Sequence, residues 1–87
     1  MVEKIVTILN SLGIHARPSS AVVSIAEKYN DSIKLYFGNS IADAKSILDI
    51  MLLAMCKGAV VRVVVEGDNE KDAINDICNA LVNIYDY

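Results

Sequence analysis

Val60-Val61-Arg62-Val63-Val64-Val65 places five valines in six consecutive positions. Branching at Cβ restricts rotamers in a helix and packs well on a pleated sheet, so residues 60–66 read as a strand. The other segments read against it. Val2 to Leu9 is a strand with Val2, Ile5, Val6 and Ile8 as its apolar positions, and Asn10-Ser11-Leu12-Gly13 is a turn. Pro18 fits the first turn of a helix from about Ala16 to Lys28, carried by Val22, Ile25, Ala26 and Tyr29. Ser32 to Phe37 alternates, Gly38-Asn39 is a hairpin turn, and a short strand follows at Ser40 to Asp43. Ser46 is an N-cap, with Asp49 placed for a capping-box-like pair, and Ile47, Met51 and Met55 on one helical face. Lys57-Gly58 ends that helix. Gly67-Asp68-Asn69 turns into a last helix from about Glu70 to Tyr85, whose apolar face is Ala73, Ile74, Ile77, Cys78, Leu81 and Ile84. The order βαββαβα, with helices that each bury one face, predicts a two-layer α+β sandwich. Small ligand-binding regulatory domains of ferredoxin-like type share this order, so it selects no function by itself.

At 87 residues the chain fits one domain, 1–87, and its hydrophobic fraction of 54% excludes disorder. A net charge of −3, with no basic run, gives no footprint for nucleic acid. Cys56 and Cys78 have no metal-ligand spacing and read as free buried thiols in apolar helical patterns. No secretory signal and no run able to span a bilayer is visible, so a cytoplasmic location is expected.

His15 is the chain's one histidine, between Gly13 and a helix opening Ala16-Arg17-Pro18. Free N–H groups and the dipole at a helix N-terminus stabilise an anion such as phosphate. The same field disfavours imidazolium and so favours a neutral, nucleophilic ring. Arg17 can add a charge-assisted contact to phosphate oxygens. The physics alone leaves open a surface or capping histidine without chemistry. Metal binding is disfavoured for want of a second ligand nearby, and no nucleophile elbow marks a hydrolase.

Gly13-Ile14-His15-Ala16-Arg17-Pro18 resembles the active-site signature of the HPr family, the histidine-containing phosphocarriers of the bacterial phosphoenolpyruvate:sugar phosphotransferase system. Ala44-Lys45-Ser46-Ile47, with the apolar helix after it and Lys57-Gly58, resembles that family's regulatory serine region. The resemblance covers essentially the whole chain. It implies an open-faced sandwich, a four-stranded antiparallel sheet covered on one face by three helices. It implies that His15 accepts a phosphoryl group on Nδ1 from phosphorylated Enzyme I and passes it to the IIA unit of a sugar permease, with Arg17 steadying the phosphate. Such a protein is a carrier with a transient phosphohistidine, not an enzyme, and needs no cofactor or metal. A site that held phosphate too tightly would trap the group.

Ser46 has two roles open to it: an N-cap worth roughly 1 kcal/mol, or a target of HPr kinase/phosphorylase linked to a catabolite-control transcription regulator. Ile47, Leu48, Met51 and Leu52 give that helix more apolar surface than one buried face needs. Ile47 and Met51 are expected in part in the core and Leu48 and Leu52 in an exposed patch. The resemblance places partner docking on these four residues and Ser20. Successive partners using one face suit a monomer.

Departures from the family pattern are Ser19 and Ser20 after the proline, Ser24, Glu27, Ser40 and Asp49. Hydroxyls at 19 and 20 are expected to cap the helix or meet phosphate. Ser24 and Glu27 make the docking face less basic, which predicts weaker electrostatic steering towards Enzyme I. Asp49 disfavours a second negative charge on Ser46. These departures leave room for a specialised HPr paralogue, or a Crh-like regulatory protein acting mainly through Ser46, although His15 argues against regulation as the sole role.

Overall fold

The computed structural model describes residues 1–9 and 16–83, except for the side chains of 16, 17 and 83. The elements run β1 (Val2–Thr7), α1 (Ala16–Ala26), β2 (Ser32–Phe37), β3 (Ser40–Asp43), α2 (Ile47–Leu52), β4 (Val60–Glu66) and α3 (Glu70–Asn83). The βαββαβα order holds, and the four strands form one antiparallel sheet in the order β1-β4-β2-β3. The valine run is an inner strand, paired on one side with β1 and on the other with β2.

Alternation sorts the sheet. Val61, Val63 and Val65 of β4, Ile33 and Leu35 of β2 and Ala42 of β3 are buried against the helices, together with Ile8 just beyond β1. Val22, Val23 and Ala26 of α1 and Ala73, Ile74, Ile77, Cys78 and Leu81 of α3 close the core from the other layer. Burying a side chain such as Leu35 contributes about 1.5–3 kcal/mol, so this seam carries the hydrophobic part of the stability.

Four expectations change. Ile5 points away from the core, because strand period 2 turns residues 2, 4, 6 and 8 to one face and 3, 5 and 7 to the other. In α2 the buried residue is Ile50, while Ile47 and Met51 are exposed. That helix ends at Leu52, well before Lys57-Gly58, because Ala54 adopts a left-handed conformation (φ 54°) that turns the chain and lets Leu53 and Met55 enter the core. Gly58 instead starts the approach to β4: its N–H donates to Ile8 O at 2.8 Å, and Ile8 N–H donates to Ala59 O at 2.9 Å. Cys56 therefore lies outside any helix and is exposed; only Cys78 is a buried thiol, and burial pushes its pKa up.

Polar contacts join the segments that follow α1 to the start and middle of α3. Asp31, almost fully buried, accepts the Asn69 N–H at 2.9 Å just before α3 begins. Tyr29 donates its hydroxyl to the Asp76 carboxylate, which with neighbouring acids holds the phenol pKa up at about 12.

Candidate functional site

His15 lies outside the described residues, as does the Arg17 side chain, but the frame next to them is described. α1 begins at Ala16, immediately after His15 in sequence, and runs for 11 residues. Its first-turn Pro18 is fully buried, and no acidic residue stands in that turn. The N-terminal amides of α1, with the positive end of its dipole, therefore start at the residue next to the histidine. Nothing anionic in the first turn competes for them.

Ser19 departs from the expected capping or phosphate-binding role. It is fully buried, and its Oγ finds no hydrogen-bond partner among the described residues. An unsatisfied buried hydroxyl costs about 1–3 kcal/mol. Ser19→Ala is accordingly expected to raise stability by about 1 kcal/mol, read as a higher urea midpoint at constant slope. A lower midpoint would show that the hydroxyl has a partner in solution. Ser20 and Ser24, by contrast, are exposed on α1, and Glu27 is exposed just beyond its end.

The second part of the site is α2, which packs beside α1. Ser46 caps it, with Ser46 Oγ accepting the Asp49 N–H at 3.2 Å. The reciprocal half of a capping box does not form. The Asp49 carboxylate instead accepts the Asp43 N–H at 3.1 Å, and Asp43 Oδ1 accepts the Lys45 N–H at 2.9 Å. The β3–α2 turn is thus held by two carboxylates placed around Ser46. Outward from this turn, α2 presents Leu48 and Leu52, 66% and 72% exposed, flanked by Ile47 and Met51. Four large apolar side chains are thus exposed side by side on one short helix. Among the described residues, no group of three or more His, Cys, Asp or Glu is placed to hold a metal, and no helix is long and apolar enough to cross a membrane.

The comparisons with known proteins agree with this layout. The family model described as the phosphotransferase-system HPr component phosphorylation site matches residues 2–83. The chain belongs to the HPr family. A phosphocarrier protein HPr from Xylella fastidiosa is 34% identical over 83 residues, covering 95% of this chain and 93% of its own. Its counterpart from Treponema pallidum is 38% identical over 77 residues, covering 88% of both chains. The crystal structure of an HPr from Thermoanaerobacter tengcongensis superposes with a TM-score of 0.88 at 37% identity, over 93% of this chain and 91% of that one. The open sheet with its three helices is therefore the HPr fold, and the HPr family acts as phosphocarriers in the phosphotransferase system.

Proposed function

We propose that this chain carries a phosphoryl group on His15, taken from phosphorylated Enzyme I and handed to the IIA units of sugar permeases. The observation that carries the reading is the start of α1 at Ala16, the residue after the chain's one histidine. Phosphoryl transfer to the ring nitrogen forms one P–N bond as the donor's bond to phosphorus breaks. The equatorial oxygens carry the charge, and helix amides together with the Arg17 guanidinium are suited to stabilise it. HPr family membership supports the same role. The test is to incubate the protein with phosphoenolpyruvate and a catalytic amount of cognate Enzyme I, then record the intact mass before and after mild acid. One added phosphate that acid removes is the expected result, because phosphohistidine is acid-labile and phosphoserine is not. No added phosphate on the folded protein would overturn the reading.

Docking on α2 is the second part of the proposal. Leu48 is exposed, so Leu48→Asp should change stability by less than about 0.5 kcal/mol. The same change puts a charge into the apolar face and should weaken Enzyme I binding at least about tenfold. Titration calorimetry reads the affinity and a thermal melt reads the fold; unchanged affinity would remove α2 from the docking face.

For Ser46 the geometry favours capping. A phosphate on its Oγ would add negative charge to a turn already held by the Asp43 and Asp49 carboxylates. Regulation by HPr kinase/phosphorylase would work against that charge, and the Crh-like reading gains no support from it.

A further inference from the structure

The face of the sheet turned away from the helices carries a stripe across all four strands. Register sets Ile5 of β1 opposite Arg62 of β4, Arg62 opposite Tyr36 of β2, and Tyr36 opposite Ile41 of β3. Ile5 and Ile41 are 69% and 60% exposed, and Val60, one row away, is exposed too. Among the described residues no element lies over them. A solvated sheet face ordinarily alternates to polar side chains, so three exposed aliphatic residues on it call for a partner.

Four of the five charges on the face are already paired; the fifth, Glu66, is exposed at the end of β4. Arg62 places its guanidinium 4.4 Å from the centre of the Tyr36 ring and bonds Glu3 at 3.0 Å, while Lys34 lies 3.9 Å from Asp43. Covering the face therefore leaves none of these four ions without a counter-charge.

The stripe is also complementary to itself. From β1 to β3 it reads aliphatic, cation, aromatic, aliphatic; from β3 to β1 it reads aliphatic, aromatic, cation, aliphatic. A twofold axis parallel to the strands, midway between two facing sheets, sets Ile5 on the partner's Ile41 and Arg62 on the partner's Tyr36. Both contacts then occur twice, as an isologous interface requires, and two twisted sheets pack in this near-aligned way. We propose that this chain self-associates through its open sheet face into a reversible twofold dimer. The arrangement also brings Glu3 towards the partner's Asp43, each held by its own cation, and that limits affinity. A face four strands wide, on the order of 19 Å across and about 20 Å long, falls below the roughly 800 Å² per partner of a standard interface. The dimer is therefore concentration-dependent, and the dilute protein is the monomer expected from its use. Because α1 and α2 lie on the opposite face, Ser20, Leu48 and Leu52 stay open in the dimer.

Sedimentation velocity of the whole chain, from micromolar to millimolar concentration, tests this. The weight-average mass is expected to rise reversibly towards twice the monomer value. Ile5→Lys and Ile41→Lys should each weaken association at least about tenfold with unchanged melting, and Leu48→Asp should leave it alone. A monomer at every concentration would overturn the proposal. So would a dimer that survives Ile41→Lys or disappears in Leu48→Asp.

Discussion

A His15→Ala chain is expected to gain no phosphate from phosphoenolpyruvate and Enzyme I under conditions in which the parent gains one. The loss should be complete, because covalent transfer needs a nucleophile and the sequence offers no second imidazole. The serines nearby, Ser19 and Ser20, are poor substitutes: Ser19 is fully buried, and a serine hydroxyl is a weak nucleophile unless a base activates it. Arg17→Ala should act differently. Removing one group that stabilises charge in the transition state slows transfer by about a hundredfold but leaves the acceptor in place, so phosphate still accumulates given time. Rapid-quench mass measurements separate the two variants. Residual acid-labile phosphate on His15→Ala would move the acceptor elsewhere in the chain. Loss of all phosphate in Arg17→Ala would mean that the arginine is needed for docking as well as for the phosphate.

Among the described glycines, Gly67 is where an added methyl should do the most damage. Gly67 adopts φ +154°, a conformation that L side chains rarely take, and an added Cβ would come within 2.7 Å of Asp31 Oδ2 and 2.8 Å of Asp31 Cβ. Asp31 cannot retreat easily, since it is buried and holds the Asn69 N–H at the entry to α3. Backbone strain, steric overlap and a lost buried hydrogen bond together suggest about 2–4 kcal/mol. At about 4–8 °C per kcal/mol for a chain of this size, the melting temperature should fall on the order of 10–25 °C. The mechanism is checked by a double-mutant cycle. Asp31→Ala removes the carboxylate that the new methyl strikes and leaves only the Cβ contact, so the pair should cost less than the sum of the singles. Additive costs, or a drop of only a degree or two in Gly67→Ala, would show that the turn relaxes freely.

How well the sequence foretold the molecule depends on how local each decision is. β2 and β3 occupy the expected spans because alternation, Gly38 at φ 59° and the short turn all act within a dozen residues. β4 is equally plain from its valines. The inward face of α2 differs from the expected one for a physical reason: Ile47, Leu48, Ile50, Met51, Leu52 and Leu53 surround the axis with apolar side chains, so no polar face marks the outside. Only packing against the sheet selects Ile50. Ala54 hid the helix end, since alanine is an unusual residue for a left-handed conformation. Asp31 gave no sign of its role, because the N–H it accepts lies 38 residues away. The His15 motif and the helix start beside it were legible in six consecutive letters. The stripe on the open face was not, because it exists only once register aligns residues from four separate strands.

Within α2 a single side chain, Ile50, anchors the helix to the core, and its neighbours face outward. On the docking role proposed for α2, recognition and folding are written in different letters of the same six-residue word. The outer letters can be exchanged between carriers without disturbing the core, which makes α2 a natural place to rewire which partners a cell's parallel phosphoryl circuits connect. Under that proposal, transplanting the Ile47, Leu48, Met51 and Leu52 set onto another carrier, or replacing it here, should redirect traffic while the scaffold stays the same.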